Sequence, residues 1–126
     1  MQRIMLKSKL HRATVTDTQM DYEGSIEIDA ALMDEVGIIP YEQVHIYNIN
    51  TGDRFITYAI PAPRGSKTVS LNGAAARLAQ RNDRIIIAAY GIINPDSEKA
   101  EPKVALLDER NDLVRKSPSS PLKSDN

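Results

Sequence analysis

The sequence predicts a mainly β fold: six or seven short strands with two short helices, closed or nearly closed into a barrel. Apolar and β-branched runs of about four to eight residues recur along the chain, bounded by Gly, Pro, Asn and Asp. Only two stretches have helical spacing, and both are short. A doubly wound α/β fold would need longer helical segments between its strands.

In chain order, residues 3–16 mix apolar and basic side chains and end in Thr14-Val15-Thr16, which reads as extended structure with irregularities. Asp29 is placed to cap a helix of at most about two turns, with Leu32, Met33 and Val36 on one face and Gly37 as its stop. Val44, Ile46 and Ile49 lead into the turn Asn50-Thr51-Gly52-Asp53, and residues 54–60 (RFITYAI) return as the second strand of a β-hairpin. Pro61, Pro63 and Gly65 are expected to break that strand. Residues 67–71 read as β, and Asn72-Gly73 opens a second short helix at residues 74–76. Residues 85–90 (IIIAAY) are short enough for a fully buried strand, and a last strand is expected at residues 104–107, ending in a turn at 108–112. Beyond Arg115 the chain is polar and rich in proline. Residues 116–126 therefore read as a disordered tail on one domain, residues 1–115.

The 126 residues suit a single domain. Sixteen basic against seventeen acidic residues leave a net charge of −1, without the basic footprint that nucleic acid or an anionic membrane demands. Small molecules or copies of the chain itself are the expected partners. The lack of cysteine excludes a disulfide framework, a thiolate zinc site and a thiol nucleophile, and suits a reducing cytosol. Two histidines, His11 and His45, are too few for a His-rich metal site, so no metal is expected. The first residues lack the apolar core of a signal peptide, and no stretch reaches the roughly 18 apolar residues that span a bilayer. A cytoplasmic protein is the expectation.

Phosphate loop, dinucleotide fingerprint, GxSxG elbow and HExxH are all missing. The candidate for chemistry is Gly24-Ser25, within Tyr22-Glu23-Gly24-Ser25-Ile26-Glu27-Ile28-Asp29, although a Gly-Ser pair alone reads as a loop. With Ile28-Asp29, this segment resembles the processing site of the pyruvoyl-dependent aspartate 1-decarboxylase family. Residues 5–16 (MLKSKLHRATVT), 48–60 (NINTGDRFITYAI), Arg64-Gly65-Ser66, residues 72–76 (NGAAA) and residues 84–89 resemble the same family in order and spacing, and residues 102–108 are compatible with it.

The resemblance implies a double-psi β-barrel assembling as a homotetramer with active sites between subunits. It implies a zymogen that cuts itself between Gly24 and Ser25 into a β chain, residues 1–24, and an α chain, residues 25–126. Ser25 would become a covalent pyruvoyl group, the enzyme using neither metal nor pyridoxal phosphate. The activity implied is that of a lyase converting L-aspartate to β-alanine and CO2 through a Schiff base, for pantothenate biosynthesis. Whether cleavage is spontaneous or needs a helper protein is left open.

The family's roles fall on particular residues. Ser25 would attack the Gly24 carbonyl, Gly24 offering a backbone geometry that other residues avoid, and Thr57 would supply the oxyanion donor. Tyr58 is the implied proton donor, its phenol being protonated at neutral pH. Arg54 and Lys9 would hold the carboxylate that stays, Arg54 by its planar fork, and His11 would lie close by. Asn72, Gly73, Ala74 and Ala75 would present backbone N–H groups to substrate. Each residue also has a plainer reading: Thr57, Tyr58, Lys9, His11 and Arg54 as strand surface, Asn72 as a helix cap. On a regular strand Arg54, Ile56 and Tyr58 share one face and Thr57 the other, with Arg54 and Tyr58 roughly 13 Å apart.

Departures from the family pattern are the bulkier, more charged Ile26-Glu27, expected to slow maturation, and Pro63 and Lys67, where an acidic residue and a glycine are usual. Asn82 replaces another glycine, and asparagine tolerates positive φ. Two other functions fit the same residues: a non-catalytic barrel that binds a small acid, and a serine hydrolase in which His11 activates Ser25 and Glu23 or Asp29 orients it.

Overall fold

The computed structural model describes residues 1–118. Nine strands form one sheet: β1 (Arg3–Thr14), β2 (Asp17–Gln19), β3 (Ser25–Asp29), β4 (Gln43–Asn48), β5 (Arg54–Ala62), β6 (Val69–Asn72), β7 (Arg84–Ile93), β8 (Lys103–Leu107) and β9 (Leu113–Ser117). Their order is β2-β6-β3-β5-β4-β7-β1-β8-β9. β3/β5, β2/β6 and β1/β8 are parallel, the other pairs antiparallel. One helix, α1 (Ala30–Val36), and one 3₁₀ turn, Gly73–Leu78, complete the mainly β fold, in keeping with a double-psi barrel. The count exceeds the six or seven strands expected because β2 has only three residues and β9 follows the turn at 108–112, where no further strand was foreseen.

The core face is set by register. Leu10, Ile87, Ile46 and Phe55 lie side by side across β1, β7, β4 and β5, and the first three are fully buried. β7 is buried from Ile85 to Ala89 apart from a half-buried Ile86, close to the fully buried strand expected, and only Tyr90 at the end of that run is exposed. β1 carries the expected irregularities as two bulges, between Leu6 and Ser8 and between Leu10 and Ala13. A bulge adds one residue and shifts the period-2 alternation. Leu6 and Lys9 thereby come to one face, and Leu10 and Ala13 both stay in the core. At the second bulge Arg12 adopts φ 62°. Its carbonyl accepts from Arg84 Nη2 at 2.7 Å, and the same nitrogen donates to Leu107 O at 3.0 Å.

Local signals in the sequence hold well around α1. The Asp29 carboxylate caps it by accepting from Ala31 N, Leu32, Met33 and Val36 are buried, and Gly37 ends it at φ 74°. Its C-terminal carbonyls receive the Ser8 hydroxyl, at Val36, and the Lys7 ammonium, at Gly37. Asp29 has two further acceptor contacts, from Gly65 N at 2.9 Å and Lys67 N at 2.8 Å, which fold the 63–68 loop onto the helix start. Lys67 stands at φ 60° and Asn82 at φ 77°, so both glycine departures occupy left-handed positions. Asn111, fully buried, bonds Thr14 N, Thr14 O and Lys67 O through its side-chain amide, tying the turn before β9 to the end of β1.

Two boundaries differ from expectation. Pro61 does not end β5, which runs to Ala62, because β5 has by then passed its last β4 pair and only β3 continues beside it. β9 takes in Lys116 and Ser117, past the expected domain end at 115, with Lys116 salt-bridged to Glu35 of α1. The rest of the expected tail, residues 119–126, lies outside the described residues.

Asp29 yields a pH prediction. Burial pushes its carboxyl up, but the N–H groups of Lys67, Gly65 and Ala31 and the Lys67 charge together outweigh this and hold it below its ordinary value. A depressed carboxylate stabilises the fold above the unfolded-state value, roughly 4, and that contribution is lost as pH falls through the folded value. Asp29→Asn should lower stability at pH 7 by about 2–3 kcal/mol. In urea titrations at several pH values, the gap between wild type and variant should narrow below pH ~4.

Candidate active site

Ser25 opens β3 and is 2% exposed, wedged between β5 and β6. Opposite it in the antiparallel register stands Asn72. The Asn72 side chain makes no cap bond to the 3₁₀ turn that follows it, so the plain capping role falls away. Its Nδ2 instead donates to Ser25 Oγ at 3.2 Å and to Glu27 Oε1 at 2.9 Å, while Ser70 Oγ donates to its Oδ1 at 3.4 Å. The Ser25 hydroxyl donates weakly to Glu23 O at 3.4 Å. The scissile peptide of the resemblance therefore sits at a buried strand start, with an amide donor aimed at its oxygen nucleophile.

The glycine requirement lies elsewhere than expected. Gly24 is outside the positive-φ region, and a Cβ built on it would meet nothing within 4 Å. Gly73, by contrast, has φ 65° and faces the backbone of residues 22–24 directly. Gly73, Ala74 and Ala75 open a 3₁₀ turn of only six residues, which has little macrodipole to offer an anion.

Thr57 and Tyr58 approach the same peptide through the sheet. The parallel register pairs Ile26 with Ala59, so the two strands carry Ser25 and Tyr58 one residue earlier and Gly24 and Thr57 one before that. Tyr58 and Thr57 line an open hollow of about 520 Å³ with Tyr41, Gln43 and Ile56. Among the described residues neither hydroxyl has a hydrogen-bond partner within the chain.

Lys9 and Arg54 form a separate group on the outer face of the barrel wall. Lys9 lines a cavity of about 150 Å³ with Leu6, Tyr47, Ile86, Ala88 and Tyr90. Arg54 sits opposite Tyr47 across the hairpin, its Cζ 4.2 Å from the ring centroid, a cation–π contact. Tyr47 and Tyr90 share a hydrogen bond between hydroxyls at 2.7 Å, which together with burial raises Tyr90 above the usual phenol value. Neither Lys9 nor Arg54 is salt-bridged to a described residue. Two unneutralised cations beside an apolar cavity suit a carboxylate ligand. Sequence reasoning missed Tyr47, Ile86 and Tyr90. Hairpin register would have found Tyr47, since the turn it identified sets the Tyr47–Arg54 pair.

The cations do not join the Gly24-Ser25 peptide in one chain: Ser25 is buried at the start of β3 with Tyr58 beside it in register, while Arg54 stands at the other, exposed end of that β5 face. Nor does a hydrolase triad form. The Asp29 oxygens are occupied by backbone N–H groups, and the Ser25 oxygen is bonded to Asn72 and Glu23 and not to His11.

A family model described as aspartate decarboxylase matches residues 1–114. The chain belongs to the aspartate decarboxylase family. It is 55% identical over 117 residues to the aspartate 1-decarboxylase of Maricaulis maris, covering 92% of this chain and 97% of that protein. To the aspartate 1-decarboxylase of Caulobacter vibrioides it is 56% identical over 113 residues, 89% of this chain and 95% of that one. To that of Thermosipho africanus it is 49% identical over 114 residues, 90% and 94% of the two chains. Family membership thus rests on nearly the whole length of this chain and of its relatives.

His11 sits beside the cation group with its Nδ1 buried and unpartnered among the described residues. Burial first, then the charges of Lys9, Arg12 and Arg84, lower its pKa below 6.5. A lowered histidine favours the neutral form in the folded state. Its contribution is complete above the unfolded value, about 6.5, and declines as pH falls below it. NMR titration should give a His11 midpoint under 6.5, and His11→Gln should flatten the fall in stability just below that pH.

Proposed function

We propose that the chain is the precursor of an L-aspartate 1-decarboxylase that converts itself to the active form by cutting between Gly24 and Ser25. The observation that carries this reading is the buried Ser25 hydroxyl at the start of β3 with the Asn72 amide directed at it, in a chain of the aspartate decarboxylase family. In the maturation step Ser25 Oγ adds to the Gly24 carbonyl and the C–N bond breaks, giving an ester and a free amine. Loss of the Ser25 Cα proton then expels the Gly24 carboxylate. The dehydroalanine left at position 25 takes up water and releases ammonia, which leaves a pyruvoyl group. Asn72 holds the attacking oxygen, and Thr57, two residues before the Ala59 partner of Ile26, is the donor for the carbonyl oxygen as it gains charge.

The surroundings fit the pyruvoyl group, because a keto oxygen would accept from the donor that Ser25 Oγ now accepts from. When formed, the group supplies the electron sink that takes the pair released as CO2 leaves. The chain's own residues do the rest. Arg54 and Lys9 hold the carboxylate that stays, Asn72, Gly73, Ala74 and Ala75 wall the substrate, and the Tyr58 phenol gives a proton to the carbon that lost CO2. The product is β-alanine.

Because the cations and Ser25 are apart in a single chain, the complete site forms between subunits of a homotetramer. Exposed Tyr41 and Ile56 beside Tyr58, and the paired, exposed Ile4 and Ile92 on β1 and β7, support such packing. No helix of the described residues is long and apolar enough to cross a membrane. We place the enzyme in the cytoplasm, working on free L-aspartate, with or without a helper protein for maturation.

Intact mass under denaturing conditions tests the reading. Wild type should resolve into residues 1–24 and a fragment from 25 beginning with pyruvoyl, whereas Ser25→Ala should stay uncut and make no β-alanine. A wild type that never cuts, even in extract of its source cell, and forms no β-alanine would leave a small-acid-binding barrel in place of an enzyme.

Arg54→Lys keeps the charge but loses the fork and the stacking on Tyr47. In steady-state assays it should raise KM for aspartate on the order of 10- to 100-fold, the scale of one charge-assisted pair, while leaving cleavage unchanged.

A further inference from the structure

Gly73 has a conformation and a contact that both call for glycine. Its φ is 65°, and an added Cβ would lie 2.7 Å from Gly24 Cα, Gly24 N and Tyr22 O. All three are backbone atoms, so no side chain could swing aside. Gly52 and Gly65 have similar positive φ, 83° and 85°, but a Cβ on either would meet nothing within 4 Å. The close approach is therefore particular to Gly73 among the left-handed glycines. It falls on the segment whose last peptide joins Gly24 to Ser25.

Asn72, next to Gly73, bonds Ser25 Oγ on the other side of that peptide. Gly73 meets residues 22–24, and Asn72 meets residue 25. Two consecutive residues, the last of β6 and the first of the 3₁₀ turn, thus hold both halves of the scissile peptide.

We propose that Gly73 is a positioning residue for self-cleavage: its bare Cα is the support that seats the Tyr22–Gly24 backbone so that the Gly24 carbonyl stands within reach of Ser25 Oγ. The inference rests on the processing reading above. A methyl group at 73 must push residues 22–24 outward by about 1 Å to restore ordinary carbon–carbon contact of 3.5–4.0 Å, while Asn72 keeps its hold on Ser25. A displacement of about that size between reacting groups costs on the order of 100-fold in rate.

The test follows cleavage by intact mass for wild type, Gly73→Ala and Gly52→Ala, each as the full chain, with melting temperatures measured alongside. Gly52→Ala carries the same backbone strain without the contact, and should lose stability but cut at the wild-type rate. Gly73→Ala should cut roughly 100-fold more slowly. Treating it with hydroxylamine should also reveal no ester at position 25, which places the defect before the acyl shift. Ala74→Gly loosens the same support at an exposed position without adding an atom, and should fold and cut several-fold more slowly. It keeps the proposal testable if Gly73→Ala does not fold. Wild-type rates in a folded Gly73→Ala, or in Ala74→Gly should the first not fold, would overturn the proposal. Failure of wild type itself to cut would overturn the processing reading, and the role of Gly73 with it.

Discussion

β3 is five residues long, yet it lies inside the sheet and is fastened at both ends. At its C-terminal end the Asp29 carboxylate takes three backbone N–H groups, from Ala31, Gly65 and Lys67. At its N-terminal end Asn72 bonds Ser25, and Gly73 backs the residues just before it. Between these points Ile26 and Ile28 are fully buried. A strand this short has few ladder bonds, so its position depends on the two clamps and on core burial. Both clamps involve the same stretch of chain, residues 65–73, which leaves the loop, forms β6 and enters the 3₁₀ turn. A shift of β6 would therefore move the helix start and the Gly24-Ser25 peptide together.

Burial, and not the face of the wall, divides the chemistry: Ser25 shares with Glu27 the side of β3 opposite the core residues Ile26 and Ile28. Ser25 is enclosed, away from water. Lys9, Tyr47, Arg54 and Tyr90 are on the outer face, where their charges stay solvated until something covers them. The bulge at Lys7 brings Lys9 to that face. Without the extra residue Lys9 would share a face with Lys7, whose ammonium is engaged at the end of α1 by Gly37 O and Glu42. The second bulge leaves the Arg12 carbonyl outside the ladder, and the Arg84 guanidinium takes it up, so the irregularity creates no orphan acceptor.

What was legible in the sequence was what short-range chemistry decides. Asp29, Gly37 and the apolar trio of α1 are encoded within nine residues, and the 50–53 turn brings its own hairpin register. Asn82 could be given its positive φ because asparagine tolerates that region. The site residues were legible mostly through resemblance, and their placement was not. Gly24 and Gly73 show why. Nothing local distinguishes a glycine beside open space from one against which another segment packs, and the partner of Gly73 is about fifty residues away. The bulges in β1 were equally hidden, since they are defined by a register with β7 that begins some eighty residues later. Pro61 misled because a proline breaks a strand only where a neighbour needs its N–H, and that neighbour is a matter of topology.

Ile26-Glu27 is the departure closest to the Gly24-Ser25 peptide, and its surroundings have a physical account. Ile26 faces inward, is fully buried and lies beside Leu71 and Ala59, so its bulk fills the core and does not crowd Gly24. Glu27 reaches Asn72, and a carboxylate can only accept. Asn72 must therefore turn its nitrogen toward Glu27, and the same nitrogen then faces Ser25 Oγ. The Ser70 hydroxyl, which can donate or accept, then donates to the Asn72 oxygen on the other side. An asparagine without such neighbours could present either end of its amide to the serine. Here the charged residue that looked out of place removes that ambiguity and leaves the serine oxygen facing a donor.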